Sequence, residues 1–199
     1  GRDSMVANSV KVTVQTAPKS VALNITNKTI DLSSNERIFQ LVGTISPSTA
    51  NVYTHLKYTS SDKTVADVDE NTGRVTALKN GTATITVSTE NGLTATCDVT
   101  VQTSITSIAV SSTSKKMEVN QTAQLTATVT PADATEKVQW TSSNTDVATV
   151  NDTGLVTAKA SGTATITVKN SDGKKSATCV VDVTDGYLLG RDSGNITKI

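Results

Sequence analysis

Apolar and polar side chains alternate one by one through much of this chain. Leu125-Thr126-Ala127-Thr128-Val129, Thr163 to Val168 and Ala177-Thr178-Cys179 each change character at every residue. A period of two sends one set of side chains inward and the other toward water, which is the mark of a half-buried β-strand. No window carries a helical stripe. Turn-forming groups break the alternation at short intervals: Pro131-Ala132-Asp133, Asn151-Asp152-Thr153-Gly154, Ser161-Gly162 and Ser171-Asp172-Gly173. Seven or so short strands at this spacing predict a β-sandwich. In the second half of the chain they are expected near 105–110, 116–119, 123–130, 138–142, 147–150 with 155–158, 163–169 and 176–184.

The pattern occurs twice. Val65-Ala66-Asp67-Val68 recurs as Val147-Ala148-Thr149-Val150, and Thr72-Gly73-Arg74-Val75-Thr76-Ala77 as Thr153-Gly154-Leu155-Val156-Thr157-Ala158. Gly81-Thr82-Ala83-Thr84-Ile85-Thr86-Val87 returns unchanged as Gly162 to Val168, and Ala95-Thr96-Cys97 as Ala177-Thr178-Cys179. Pro47 matches Pro131, and Tyr58-Thr59-Ser60-Ser61 matches Trp140-Thr141-Ser142-Ser143. The order is kept at an offset of about 81 to 87 residues, so the chain contains two copies of one domain, over 17–103 and 104–184.

These residues resemble the bacterial immunoglobulin-like domain of group two. That family's pattern is a Pro-containing turn, W-x-S-S, a V-A-x-V strand, a turn ending in Gly, V-x-A and G-T-A-x-I-x-V. The second copy carries all of it from Pro131 to Val168; the first departs by having Tyr58 in place of Trp. The resemblance covers about residues 18–184. It implies an all-β chain of two tandem immunoglobulin-like β-sandwich domains, of a kind found in arrays on bacterial surface proteins of the intimin and invasin type and on phage virion proteins. It carries no shared catalytic residues.

Composition narrows the function further. Thr and Val suit pleated strands, and aromatics are only 3% of the 199 residues, so any core is aliphatic. Lys and Arg balance Asp and Glu to a formal net charge of zero. Nucleic acid and anionic membranes are thereby disfavoured as partners, and no apolar run reaches the roughly 20 residues of a membrane span. No secretory signal opens the chain, and Gly1-Arg2-Asp3-Ser4 ahead of Met5 reads as a cloning remnant.

Each residue that could carry chemistry has a plainer reading. Cys97 and Cys179 stand at equivalent positions, each sharing a strand face with an Ala and a Val, so they are expected as small core residues and not as a disulfide or redox pair. His55 is the single histidine, without partners for a triad or a zinc site. Asp67-Val68-Asp69-Glu70-Asn71-Thr72-Gly73 resembles a calcium loop, but its glycine comes one place late and the closing Glu is absent. The second copy lost the acids there and kept the turn. Trp140 and Tyr58 follow apolar Val138 and Leu56 by two positions, which places them in the core and not on a sugar-stacking platform; a lectin surface would rest on Tyr53 or Tyr187. Six Asn residues (Asn24, Asn27, Asn80, Asn120, Asn151 and Asn195) open N-x-S/T triplets, as composition alone produces in a Thr-rich chain.

No nucleophile–base pair, metal cluster or phosphate cradle is present in the sequence, so neither catalysis nor a cofactor is expected. What remains is mechanical. Val99-Thr100-Val101-Gln102-Thr103 runs into Ser104-Ile105 with no flexible linker, as in a semi-rigid spacer. The expected place is extracellular or on the cell surface, in a structural or adhesion protein that binds a protein or a surface glycan. The alternatives are a virion tail or capsid protein and an accessory segment of a secreted hydrolase. The ends stand apart. Val12-Thr13-Val14-Gln15-Thr16 repeats Val99 to Thr103 letter for letter, so residues 1–16 read as the last strand of a preceding repeat. Tyr187-Leu188-Leu189 and Ile196 to Ile199 flank a turn-forming stretch, so 185–199 read as a hairpin-like extension. Unpaired terminal strands are templates for pairing and predict self-association.

Overall fold

The alternation is realised as strands. The computed structural model describes residues 11–186, and among these every helix or strand is a strand. The chain divides into two compact units between Val101 and Gln102. Unit 1 contains β1 (Ser20–Leu23), β2 (Asn27–Asp31), β3 (Ile38–Gln40), β4 (Gly43–Ser46), β5 (Leu56–Ser60), β6 (Ala66–Val68), β7 (Arg74–Ala77), β8 (Gly81–Thr89) and β9 (Thr94–Gln102). Unit 2 repeats the order as β10 (Ser107–Val110), β11 (Ser114–Glu118), β12 (Thr122–Gln124), β13 (Ala127–Thr130), β14 (Gln139–Ser142), β15 (Ala148–Val150), β16 (Leu155–Ala158), β17 (Gly162–Lys169) and β18 (Ser176–Thr184).

Each unit is a sandwich on the same plan. One sheet is four-stranded, in the order β2-β9-β8-β5 in unit 1 and β11-β18-β17-β14 in unit 2. Across the core lie a three-stranded sheet (β3-β7-β6, β12-β16-β15) and a two-stranded one (β1-β4, β10-β13). The repeated Gly-Thr-Ala-Thr-Ile-Thr-Val stretch begins β8 and β17, which lie between two neighbours in their sheets. Its Ala, Ile and Val turn inward: Ala164, Ile166 and Val168 are buried, as are Cys179, Val181 and Val183 of β18. The register sets Ile166 opposite Cys179 and Ala164 opposite Val181. Each large aliphatic side chain so buried contributes roughly 1.5–3 kcal/mol before chain entropy is set against it.

The expected strand 123–130 is two strands, and 38–46 of unit 1 is broken in the same way. β12 pairs with β16, whereas β13 pairs with β10. The change of partner falls at Leu125-Thr126, where Leu125 is buried and its N–H donates to Gly154 O at 2.9 Å. Gln124 Nε2 donates to Leu125 O and to Thr153 O. Ser111 Oγ accepts from Thr126 N, and Ser111 N donates to Thr126 O. In unit 1 Gln40 and Asn24 do the same around Leu41 and Val42. The break is tolerated because its backbone groups all find partners.

The paired serines of the motif connect the layers. Ser142 Oγ donates to Ala148 O at 2.7 Å, from the four-stranded sheet to the three-stranded one. Ser143 Oγ accepts from Thr165 N at 2.8 Å while Ser143 N donates to Thr165 O at 2.9 Å, which carries the β14–β17 pairing one residue further. Ser60 and Ser61 repeat both arrangements in unit 1.

At the amino end, residues 11–16 form no strand, contrary to expectation. Val12 and Val14 are 81% and 75% exposed. The same letters form a strand at Val99 to Gln102 because β8 lies beside them; among the described residues no strand pairs with 11–16. The segment is held by Asn51: its Nδ2 donates to Val14 O, its Oδ1 accepts from Thr16 N, and its backbone N donates to Thr16 O. The expected strand residues before 11 and the hairpin residues 187–199 lie outside the described residues.

The turn before β16 sets a local test. Gly154 has φ +84°, and a Cβ there would lie 2.9 Å from Trp140 Cζ2 and collide with Leu125 O. Gly154→Ala is expected to cost unit 2 about 2 kcal/mol or more, the left-handed penalty plus the clash. Trp140 is the single tryptophan, so its fluorescence during urea unfolding reads unit 2 directly.

Candidate functional site

The two motif aromatics are placed differently. Tyr58 is buried, and its hydroxyl accepts from Gly43 N at 2.8 Å. The ring tip fits because Gly43 has no side chain: a Cβ there would lie 3.0 Å from the hydroxyl and 2.6 Å from Leu56 Cδ1. In unit 2 that position is Ala127, Leu56 is replaced by the smaller Val138, and the aromatic is Trp140. Trp140 is therefore not a fully enclosed core residue. It is half-buried, packed against the core cluster with one ring edge over Gly154. The larger indole leaves part of its surface in water.

Cys97 and Cys179 are fully buried free thiols at matching positions. Burial pushes both thiols up, away from the thiolate form that attacks electrophiles or binds metals. His55 is exposed, and Tyr53 is half-exposed with φ 55°.

The acidic loop of unit 1 spends its carboxylates on the turn. Asp69 Oδ1 accepts from Asn71 N, Thr72 N and Thr72 Oγ1 at 2.8–3.1 Å. Asp67 Oδ1 accepts from Val68 N, and Glu70 pairs with Lys57 at 3.4 Å. In unit 2 the neutral Asn151 Oδ1 takes the place of Asp69, accepting from Thr153 N, Thr153 Oγ1 and Leu155 N. The turn thus needs an acceptor and not a charge. Among the described residues no group of three or more His, Cys, Asp and Glu side chains is placed to hold a metal ion.

One polar cluster had no signal in the repeat pattern. Ahead of β10, Thr103 is 3% exposed and bonds Thr135 through both backbone and side chain. Glu136 Oε2 accepts from Ile105 N at 3.3 Å, and Oε1 accepts from Ser171 N at 2.8 Å and from the Ser171 hydroxyl. Buried Asn170 shapes that loop by accepting from Lys175 N. Together with Lys174 these residues line a small polar concavity. The bond from the Ser171 hydroxyl holds the Glu136 carboxyl below the usual carboxylate range, so it is a fixed acceptor and lacks the raised value of a proton-shuttling acid. Unit 1 anchors the matching residues otherwise, through Asn51 on Thr16 and Asn91 Nδ2 on Pro18 O. Glu136 falls where unit 1 has Val52, so comparing the copies could not reveal it.

Two outcomes follow from this geometry. Trp140→Ala is expected to cost unit 2 about 2–3 kcal/mol in urea unfolding, below the roughly 3–5 of an enclosed aromatic, and acrylamide should partly quench the native fluorescence. The second concerns acid. The bonds from Thr72 hold Asp69 below its ordinary value, so the folded state binds fewer protons than the unfolded one across that interval. The stabilisation is complete above the ordinary carboxylate value and is lost as pH falls through the lowered one. Asp69→Asn should therefore shrink the acid sensitivity of unit 1 while preserving the turn, as Asn151 does in unit 2. Circular dichroism melts of the full chain from about pH 7 to about pH 3 would show it.

Comparison with known proteins places these units. The sequence profile of the bacterial Ig-like domain (group 2) matches residues 35–99 and 104–181. An uncharacterised protein of Clostridium acetobutylicum is 41% identical over 132 residues, 64% of this chain and 14% of that protein. An Ig-like virion protein of Serratia phage KSP90 is 34% identical over 137 residues, 66% of this chain and 53% of that protein. Ice-binding protein 1 of Shewanella frigidimarina is 32% identical over 180 residues, 87% of this chain and 20% of that protein. The chain thus spans between 14% and 53% of the length of these relatives. With both sandwiches matched along most of their length, the chain belongs to the bacterial Ig-like domain family, group 2.

Proposed function

We propose that this chain is a structural or adhesion segment of a bacterial cell-surface protein, working outside the cell as a semi-rigid spacer and without catalysis of its own. The observation that carries the reading is the junction. The two family matches are separated only by residues 100–103. Those residues are already committed: β9 runs to Gln102, and Thr103 is buried against the Thr135 loop. A connection with no free residue supports a semi-rigid spacer over a flexible linker. In this reading the partner, a protein or a surface glycan, is met by whatever the spacer presents.

A second reading is favoured by one comparison. The phage virion protein is similar to this chain over about half its own length. A spacer on a virion would use the same junction, and immunogold labelling of cells and particles from the source distinguishes the two placements.

Small-angle scattering of the full chain tests the spacer reading itself. The expected result is a single extended particle whose maximum dimension is unchanged by salt. A short Gly-Ser insertion between Gln102 and Thr103 should broaden the distance distribution. A wild-type chain already as flexible as the insertion variant would refute the reading.

A further inference from the structure

We propose that the units bear tension along the chain, and that in unit 2 the parallel β11–β18 ladder is the element that resists it. This deepens the spacer reading and rests on it for its setting.

The argument comes from chain order and strand direction. β18 is the last strand of unit 2 among the described residues, so a pull from the carboxyl side reaches it at Thr184. A pull from the amino side passes through β10 and reaches β11 at Ser114. β11 and β18 run parallel, in register from Ser114↔Val180 to Glu118↔Thr184. The two pulls therefore act in opposite directions along one ladder, and every rung is strained at once. In an antiparallel hairpin pulled from its open end, rungs part singly. The ladder reaches past the register at both ends, since Val180 N donates to Thr113 O at 2.9 Å and Val119 N to Thr184 O at 3.1 Å.

Burial indicates which part yields first. β10 holds no fully buried side chain, so β10 is the weaker attachment. β11 carries Met117, which is 4% exposed and part of the core cluster. Dragging β11 along β18 would pull that thioether side chain out of its site while the rungs break. Unit 1 has the same neighbours, β2 beside β9, with Ile30 in the place of Met117 and Asp98 N donating to Thr26 O.

In a parallel pair, alternate residues use both backbone groups toward the neighbour. The bonds at Thr113 and Val119 put the odd-numbered residues of β11 in that role. The N–H of Lys115 thus faces β18, and that of Lys116 faces away. The test stretches the full chain between two marker domains in a single-molecule force measurement. Lys115→Pro removes a rung and should lower the unfolding force of one of the two units; Lys116→Pro should leave both forces as they are. Equal effects of the two variants, or none from Lys115→Pro, would overturn the proposal.

Should Lys115→Pro not fold, a covalent staple decides. Lys116→Cys with Asp182→Cys joins two residues in direct register, within the reach of a disulfide. The native cysteines are fully buried and do not compete for it. Oxidised, the high-force event of unit 2 should vanish, leaving only the weaker release of β10, and reduction should restore it. If the high-force event survives at the same force with a shorter extension, resistance lies elsewhere and the ladder is not the clamp. A chain that scatters as a stiff particle but unfolds at forces independent of the ladder would keep the spacer reading and remove this one.

Discussion

Each sandwich depends on one leucine at which the chain changes sheets. Leu125, like Leu41 in unit 1, is enclosed by the core while the backbone on either side of it pairs with different partners. A chain so poor in aromatics must bring two layers close enough for Val, Ile and Ala to fill the space between them. A strand serving both layers does this, but at the change-over its peptide groups lose their ladder partners. An unpaired buried peptide group costs about 1–3 kcal/mol, which would offset much of what the leucine contributes. The amide of Gln124 and the carbonyl of Gly154 remove that cost.

The other recurring polar residues follow from the same requirement. Ser142 crosses from one layer to the other, and Asn151 or Asp69 closes the turn whose glycine receives the leucine N–H. These residues look like candidates for chemistry when met singly in a motif. Their hydrogen bonds instead join the layers and close the turn beside the change-over, and both units make them in the same way.

The fold was legible in the sequence because alternation and repetition both record burial. The inward positions of β8, β9, β17 and β18 were readable letter by letter. The broken strand was not, since side chains from Ala123 to Val129 keep alternating between inward and outward through the break; only the hydrogen-bond partners change, and no side chain reports that. The depth of Trp140 was not legible for a related reason. Strand parity places it on the inner face, where it packs against the core cluster, but how deeply it sinks is set by the residues of other strands around it. Glu136 was invisible because its role comes from a loop contact with Ser171, far away in sequence and present in one copy only. The Val12 to Thr16 segment shows the converse, in which identical letters make a strand in one place and none in another because strand formation needs a neighbour.

The coupling of Gly43, Leu56 and Tyr58, against Ala127, Val138 and Trp140, bears on how such arrays change over generations. Tyr58 is fitted to a glycine, since a Cβ at residue 43 would lie 3.0 Å from its hydroxyl and 2.6 Å from Leu56 Cδ1. The stretch that is identical in the two copies, Gly81 to Val87 and Gly162 to Val168, lies after all three members of each set. An exchange between copies at that identity would take the aromatic and its slot from the same parent. A hybrid repeat joined at that identity would keep together the residues that must match.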